Sequence, residues 1–276
     1  MNFENVVFAG GGNRCFWQAG FWTTIEPHLA ATPINIASVS AGAAISCALF
    51  SGCFEAVLEN TVNVMRANRK NRYWRNLFSD QPIHPHSRLY RQIIETSINQ
   101  QGLEALHRGP QNHILVAHIP NWLRPGSATL IGILGYQLEK KLFSPVHPKF
   151  GRKLGFQSEF IKVQDCQTIS MLADLILSSS CTPPFTAQMY RSGRPVLDGG
   201  MIDNVPVHGV EHFPGKTLVL CSRPYKQLPS FENRVYIAPS KPVAVESWDY
   251  TNPDGIINSF NQGKADADSF LDSLKL

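Results

Sequence analysis

Short apolar runs alternate with longer helical patterns through the first fifty residues of the chain. Val6–Ala9 is typical of a buried strand; a glycine triplet follows it, and an apolar helical pattern continues through Cys15–Ile25. Ile34–Val39 repeats this order, ending at Ser40 before a helical stretch of small residues. Two successive strand-then-helix units favour an α/β fold with a mainly parallel sheet.

The same patterns predict further elements along the rest of the chain. Helices are predicted at Glu55–Arg66, Leu89–Ile98, Leu172–Ser178 and Gly255–Leu274. Strands are predicted at His113–Ile119, Lys216–Cys221 and Arg234–Ala238, and within Pro195–Pro206, where a strand enters a glycine turn. Neither a linker nor an internal repeat separates these elements, so we expect residues 1–276 to form one domain.

The stretch from residue 121 to residue 159 allows two interpretations. Its middle is apolar and helical, and this part ends in Lys140 and Lys141. A helix that packs in the core is the plainer interpretation, and a mobile amphipathic lid is the alternative.

Composition and charge exclude some classes of function. A hydrophobic content of 43% with 17% charged residues is ordinary for a folded globular protein. The formal net charge of +4 at pH 7 is far from the strong basic bias of a dedicated nucleic-acid binder. The densest basic run, Arg66–Arg75, is best explained as a solvated helix end, with a membrane-surface or nucleic-acid patch as the alternative.

Cysteine spacing and segment hydrophobicity bear on location. The six cysteines are scattered without zinc-like spacing, which predicts free thiols in a reducing compartment. Asp, Glu and His residues also lack the spacing of metal ligands. The N-terminus has no signal-peptide pattern, and no run of about 18 apolar residues predicts a membrane-spanning helix. We therefore expect a soluble, cytoplasmic protein without a metal or cofactor.

Gly10, Gly11 and Gly12 lie between the first predicted strand and the first predicted helix. Backbone N–H groups at such a position lie at the positive end of a helix dipole, which suits a negatively charged oxygen. A dinucleotide loop would require a third glycine at Cys15, and no nucleotide-binding P-loop sequence occurs. A tight structural turn is the remaining alternative.

Ser40 lies where the second predicted strand gives way to a helix. A serine at a sharp strand-to-helix turn exposes its hydroxyl at the edge of the sheet, where it can act as a nucleophile. Ser38 precedes Ser40 by two positions and Gly42 follows it by two, so the motif differs from G-x-S-x-G by a serine in place of the first glycine. A structural turn of small residues explains this motif equally well in isolation.

A serine nucleophile requires a base. His208 and His212 follow Asp198 in the chain order of α/β-hydrolases, but only one strand precedes the nucleophile strand, which disfavours that fold. We expect these histidines to cap or pack the helix after Pro206. Asp198 is the better base, because it ends a strand beside two glycines and desolvation would raise its pKa. A simple Asp-Gly turn is the alternative.

Taken in order, these motifs resemble the patatin-like phospholipase family. Its glycine-rich loop corresponds to Gly10–Arg14, its serine elbow to Ser40 in SVSAG, and its D-G-[GA] motif to Asp198–Gly200. The segments SSSCTPPF and IDNVP, on either side of the aspartate, are also similar to the family. Ala9 and Cys15 depart from its usual acidic and glycine residues, as does Ser38 at the elbow. Residues 121–159 match no family motif, and we expect substrate choice to be decided there.

The resemblance implies a three-layer α/β/α fold and hydrolysis of acyl esters in lipids. Ser40 would be the nucleophile and Asp198 the general base of a dyad that works through an acyl-enzyme. The oxyanion hole would be formed by Gly10, Gly11 and Gly12, and the supporting residues would be Arg14, Gly42, Gly199 and Gly200. The implied partner is a lipid met transiently at a membrane surface, and no nucleic acid is expected.

Two other functions are compatible with the same motifs. An acyltransferase would use the same nucleophile and oxyanion site but pass the acyl group to an alcohol instead of water. A non-catalytic lipid-binding module would retain the fold alone. Such a module is expected to have lost the serine, the aspartate or the glycines, and all of these are present.

Overall fold

A central β-sheet carries the functional motifs at its edge. The computed structural model describes residues 1–120 and 154–274, with residues 122, 123, 127 and 146 between them. The strands of this part of the chain are β1 (Asn5–Phe8), β2 (Asn35–Val39), β3 (Gln111–His118), β4 (Gln157–Lys162), β5 (Met189–Arg191), β6 (Arg194–Asp198), β7 (Thr217–Leu220) and β8 (Arg234–Ile237). Its helices are α1 (Phe16–Ile25), α2 (Ala41–Phe50), α3 (Phe54–Ala67), α4 (His86–Ser97), α5 (Gln100–Arg108), α6 (Ile169–Ser179) and α7 (Pro253–Ser273).

The strand order is β5-β6-β3-β2-β1-β7-β8, and β4 pairs with the second edge of β3. β3, β2, β1, β7 and β8 are parallel, whereas β4, β5 and β6 pair antiparallel. The prediction of an α/β fold with a mainly parallel sheet is therefore confirmed.

Each face of the sheet buries alternate residues, as the two-residue period of a strand requires. Val6 and Phe8 of β1 lie in a core that includes residues of α1, α2, α3 and α7. Val7 packs on the opposite face, in a cluster with residues of the 205–210 segment. Both faces of β1 are thus apolar, which explains why its sequence is a continuous apolar run.

Strand β3 changes partner along one of its edges. β2 pairs with it as far as Val39 opposite Leu115, and β6 takes over with Asp198 opposite Val116. Since β4 pairs with residues 113–118 of β3, it occupies the other edge. β2 runs parallel and β6 antiparallel to β3, so both strands end at the point of exchange. The turn after β2 and the turn after β6 consequently face each other.

The predicted lid or specificity segment mostly lies outside the described residues. Gln157–Glu159, which the prediction assigned to this segment, belong to β4 and pair with β3. At this end the predicted segment therefore includes the start of an antiparallel strand of the sheet. Among the residues that are described, no helix has the length and hydrophobicity to cross a bilayer.

Candidate active site

Ser40 occupies a strained turn between β2 and α2. Its backbone angles are φ 54° and ψ −132°, a positive φ that is uncommon for a residue other than glycine. Helix α2 begins directly after it and approaches β1 closely: a Cβ atom at Gly42 would lie 2.5 Å from the carbonyl oxygen of Ala9. Gly42 therefore permits the close approach of helix and strand that holds the turn.

The serine at position 38 is accommodated by a buried polar chain. The Ser38 hydroxyl donates to Oδ1 of Asn112 at 2.8 Å, and Nδ2 of Asn112 donates to the Ser46 hydroxyl at 2.8 Å. All three side chains are buried, and each hydroxyl or amide has a partner, so the departure from the usual elbow leaves Ser38 satisfied. Asn112 was not predicted as part of the site.

The Ser40 and Asp198 side chains are in direct contact. The Ser40 hydroxyl donates to Oδ2 of Asp198 at 2.7 Å, and the Gly200 N–H donates to Oδ1 of the same carboxylate at 2.7 Å. Burial raises the pKa of Asp198 from 3.8 to about 6, and the hydrogen bonds from Ser40 and Gly200 partly oppose that rise. A carboxylate of this kind is ionised at neutral pH yet more basic than an exposed aspartate, which suits a proton acceptor.

Ser179 connects the turn to the sheet. The Ser40 N–H donates to the Ser179 hydroxyl at 2.8 Å, and that hydroxyl donates to the Leu115 carbonyl at 2.6 Å. Leu115 is where β3 exchanges β2 for β6, so Ser179 satisfies a carbonyl at the exchange point. The SSSCTPPF segment was recognised as family-like, but the role of this particular serine depends on the register of β3.

The three glycines of the loop differ in their backbone hydrogen bonds. The Gly10 N–H donates to the Asn204 carbonyl at 3.0 Å, and Asn204 Nδ2 donates back to the Gly10 carbonyl at 2.9 Å. Gly11 and Gly12 line the cavity around Ser40, and their N–H groups have no acceptor among the described residues. Of the three glycines predicted to form the oxyanion hole, Gly10 therefore has its N–H in a hydrogen bond with the backbone.

The loop has a fixed conformation. Gly12 has φ +59°, and a Cβ atom there would clash with the Ser247 carbonyl. Asn13 ties the loop to the same segment, its N–H donating to Ser247 O at 3.1 Å and its Nδ2 to Asp249 O at 2.6 Å. Nε of Arg14 donates to the Gly11 carbonyl at 3.2 Å. The Arg14 side chain is thus attached to the backbone of the loop.

The turn after β6 supports the site from the opposite side. A Cβ atom at Gly199 would clash with the Leu115 carbonyl, so glycine lets this turn lie against β3. Gly200 supplies the N–H that holds Asp198. Gly199 and Gly200 therefore each have a structural role, which explains the DGG sequence.

A cavity of about 350 Å³ surrounds the two side chains. Its lining comprises part of the glycine loop, Ser40, Asp198 and both polar and apolar residues: Gly11, Gly12, Arg14, Ser40, Thr182, Phe185, Asp198, Gly200, Met201, Asn204, Ser247 and Trp248. This lining contains no histidine from the described parts of the chain. His208 instead contacts Glu211 at 2.5 Å, and the His212 ring lies 4.0 Å from that of Phe213.

A second, apolar pocket opens from Ser40 between helices α2, α3 and α4. Aliphatic side chains dominate it, including Ala44, Ile45, Val57 and Ile93. Ser40 therefore lies between a cavity with several polar side chains and a mainly apolar one.

The described residues contain no group of three or more His, Cys, Asp or Glu side chains placed to hold a metal ion. All six cysteines are unpaired, as their spacing predicts.

The sheet topology and the Ser40–Asp198 contact define an α/β protein with a serine–aspartate pair at the edge of a mainly parallel sheet. The family model "Patatin-like phospholipase" matches residues 6–210, and the chain belongs to that family. Membership indicates a lipid acyl hydrolase.

Comparison with solved structures gives several matches, among them one that covers nearly all of this chain. The crystal structure of VipD from Legionella pneumophila is similar with a TM-score of 0.43 and 11% identity, covering 97% of this chain and 67% of that chain. A similarity this low carries no argument about function. A search of curated proteins gives no match.

Proposed function

We propose that this protein hydrolyses fatty acyl esters of phospholipids or related lipids, with Ser40 as nucleophile and Asp198 as general base. The observation that carries this proposal is the 2.7 Å hydrogen bond from the Ser40 hydroxyl to the Asp198 carboxylate. A base within this distance can accept the hydroxyl proton as the oxygen attacks a carbonyl carbon. Family membership supplies the lipid class of the substrate.

The reaction would proceed in two steps. Ser40 Oγ attacks the acyl carbonyl while Asp198 takes its proton; the ester C–O bond then breaks, and Asp198 returns the proton to the leaving alcohol. In the second step Asp198 takes a proton from water, which attacks the acyl-enzyme. The ester bond to Ser40 then breaks, Asp198 returns the proton to Ser40 Oγ, and the fatty acid leaves. The N–H groups of Gly11 and Gly12 would stabilise the oxyanion of both steps, and losing one such donor costs about 2.7–4 kcal/mol.

The apolar pocket beside Ser40 suits the acyl chain. Aliphatic side chains such as Ala44, Ile45 and Val57 make up much of its lining and favour a hydrocarbon chain, although Tyr90 and Ser180 also line it. The ester would then lie at the junction of the two cavities, with the head group toward the polar side. This division of the site agrees with an amphipathic substrate.

The direct test is the release of fatty acid from defined lipids. Wild-type protein is expected to release fatty acid from at least one of phosphatidylcholine, lysophosphatidylcholine and triacylglycerol, detected by mass spectrometry. Turnover of all three at the level of a protein-free control would contradict the hydrolase. Adding glycerol or a long-chain alcohol distinguishes acyl transfer, because a transferase forms a new ester in place of free acid. Vesicle binding without either product would favour the non-catalytic module.

Replacing Ala44 with phenylalanine is expected to shift the chain-length preference toward short esters. The larger side chain fills part of the apolar pocket, and each methylene excluded from it forfeits about 0.8 kcal/mol of binding. We expect kcat/KM for a dodecanoyl ester to fall roughly tenfold more than that for a butanoyl ester, which corresponds to about two excluded methylenes. Both are measured with soluble p-nitrophenyl esters.

The matched control is Ala265→Phe, the same change on an exposed position of α7. It is expected to leave the ratio of the two esters unchanged. An equal loss on both esters in Ala44→Phe would argue that the pocket does not hold the acyl chain.

A further inference from the structure

The basic run does more than end a helix. Helix α3 ends at Ala67, and a loop and a short 3-10 helix, Trp74–Phe78, follow it. Four cationic side chains of this segment are exposed, and none forms an ion pair with another described residue: Arg69, Lys70, Arg72 and Arg75. Cations without acidic partners leave a positive potential at this surface.

Large apolar side chains are exposed beside these cations. Trp74 is 63% exposed, Leu77 62% and Phe78 91%, all within the one 3-10 helix. A single exposed apolar side chain is normal on a soluble protein, but three within five residues form a patch that marks an interaction site.

The segment is held from behind by its asparagines. Asn68 Nδ2 donates to the Tyr250 carbonyl at 2.9 Å, and the Tyr250 N–H donates to Asn71 Oδ1 at 2.8 Å. Asn76 Nδ2 donates to the Pro82 carbonyl at 2.8 Å. Because these polar side chains satisfy the inner contacts, the cationic and apolar side chains are left to face outward.

A groove of about 1090 Å³ joins this surface to the catalytic cavity. Arg14, Phe185, Ser247 and Trp248 line both. Five cationic side chains and two acidic ones line the groove, and one of the acids, Asp249, already accepts hydrogen bonds from Asn71 and Thr251. The route from the exposed segment to Ser40 is therefore cationic overall.

We propose that residues 69–78 form a docking surface for bilayers that contain anionic lipids. The inference rests on the lipid hydrolase proposed above, for which it names the favoured membrane. Exposed lysines and arginines are attracted to anionic headgroups, while tryptophan and phenylalanine insert at the headgroup level. The shared lining with the catalytic cavity then places the docked bilayer beside Ser40.

The apolar side chains decide between a membrane and a nucleic acid. Phosphate contacts account for cations and base stacking for aromatic rings, but neither gives a role to an exposed Leu77. A bilayer accommodates the cationic, aromatic and aliphatic side chains together. The overall charge of +4 is also mild for a nucleic-acid binder.

The test is vesicle binding in the Ser40→Ala background, where turnover cannot alter the vesicles. Binding is compared between phosphatidylcholine vesicles and vesicles with about a third phosphatidylserine, by co-sedimentation. Arg72→Ala with Arg75→Ala is expected to weaken binding to the anionic vesicles by roughly tenfold to thirtyfold, about fivefold for each cation. The difference should shrink at high salt, because the Debye length falls from about 10 Å at 0.1 M to about 3 Å at 1 M.

A second variant tests the apolar half independently. Trp74→Ala with Phe78→Ala is expected to weaken binding to both kinds of vesicle, and this loss should persist at high salt. Together the two variants separate attraction to charge from insertion, and either one remains informative if the other unfolds.

Matched controls lie at the opposite, amino-terminal edge of the parallel strands. Arg108→Ala with Lys216→Ala removes two exposed cations there, and Ile34→Ala removes a 62% exposed side chain next to β2. Both controls are expected to bind vesicles as their parent does. Thermal unfolding of every variant checks that the fold is retained.

Three results would overturn the docking surface. The first is equal binding of anionic vesicles by the variant with Arg72→Ala and Arg75→Ala and by the control with Arg108→Ala and Lys216→Ala. The second is no preference of the parent protein for anionic vesicles, and the third is tighter binding to single-stranded DNA than to vesicles. Failure of the hydrolase is a separate outcome. If wild-type protein binds anionic vesicles but releases no fatty acid, the docking surface is supported and the hydrolase is refuted. If it hydrolyses soluble esters but does not bind vesicles, the hydrolase is supported and the docking surface is refuted.

Discussion

Replacing Ser40 with alanine is expected to lower kcat for ester hydrolysis by at least about 10⁴-fold, because the change removes the atom that attacks the acyl carbon. Asp198 then has no hydroxyl proton to accept, and only slow attack by water in the remaining oxyanion site is left. A fluorophosphonate probe, read by mass spectrometry of the modified peptide, should label Ser40 in the wild type and leave this peptide unmodified in the variant.

Ser38→Gly is the matched control, since it changes a serine two positions away in the same motif. It restores the usual elbow sequence and leaves the Ser40 hydroxyl in place. The loss of the bond to Asn112 is expected to lower the free energy of unfolding by about 1–3 kcal/mol without abolishing the label. Labelling of another residue, or activity retained by Ser40→Ala, would remove Ser40 from the mechanism.

Each half of the candidate dyad could be predicted from a local motif. A serine between a strand and a helix, and an aspartate before two glycines, each mark a turn at a strand end. Their meeting across 158 positions depends on the register of β3, which no local pattern encodes. Family resemblance supplied that pairing at the sequence level, and the exchange of β2 for β6 at Leu115 and Val116 explains it physically.

Other parts of the site were beyond sequence reasoning because they depend on which backbone groups remain free. Gly10, Gly11 and Gly12 cannot be told apart in the sequence, yet the N–H of Gly10 donates a hydrogen bond to the Asn204 carbonyl. Ser179 is one of three consecutive serines, and only the uncovered Leu115 carbonyl singles it out.

The strands that were missed lack a periodic apolar signal, whereas the missed helix adjoins a predicted one. β4 has the sequence QSEFIK and buries only one of its six residues, and β5 has three residues. Helix α5 begins directly after α4, separated only by Ile98 and by Asn99, whose side chain caps the new helix by accepting from the Gly102 N–H. Short, exposed or closely adjoining elements give a pattern too brief to recognise.

Replacing Asp198 with asparagine is expected to lower kcat/KM by roughly 10³–10⁴-fold, the scale seen when the carboxylate of a catalytic serine site is made neutral. The amide is nearly the same size and still accepts from Gly200, but it cannot take the Ser40 proton. In the wild type kcat/KM should rise with pH through a midpoint near pH 6 and then level off, because burial raises the pKa of Asp198 to about 6 and the base must be ionised. The residual activity of the variant should lack this inflection. A pH profile with a soluble ester measures both.

The same substitution should change stability in the opposite direction to activity. The pKa of Asp198 is higher in the folded state than its ordinary value of 3.8, so the folded protein binds the proton more tightly than the unfolded chain. The contribution of Asp198 to wild-type stability must then fall as the pH rises from about 4 to about 6, and it stays lower above that range. The free energy of unfolding of Asp198→Asn, relative to wild type, should increase over this window by roughly 2–3 kcal/mol, at about 1.4 kcal/mol for each pKa unit. Urea unfolding at pH 4 and pH 8 measures the change.

Asp268→Asn, the same change on an exposed face of α7, is expected to show no comparable increase between the two pH values. If the free energy of unfolding of Asp198→Asn relative to wild type were also the same at pH 4 and pH 8, the carboxylate would not be desolvated. Its strength as a base would then have another cause. An increase in stability together with a loss of activity would show that the fold keeps an ionised, partly buried carboxylate beside Ser40 at a cost in stability. A merely structural Asp-Gly turn has no need of that cost, since asparagine would serve it equally well.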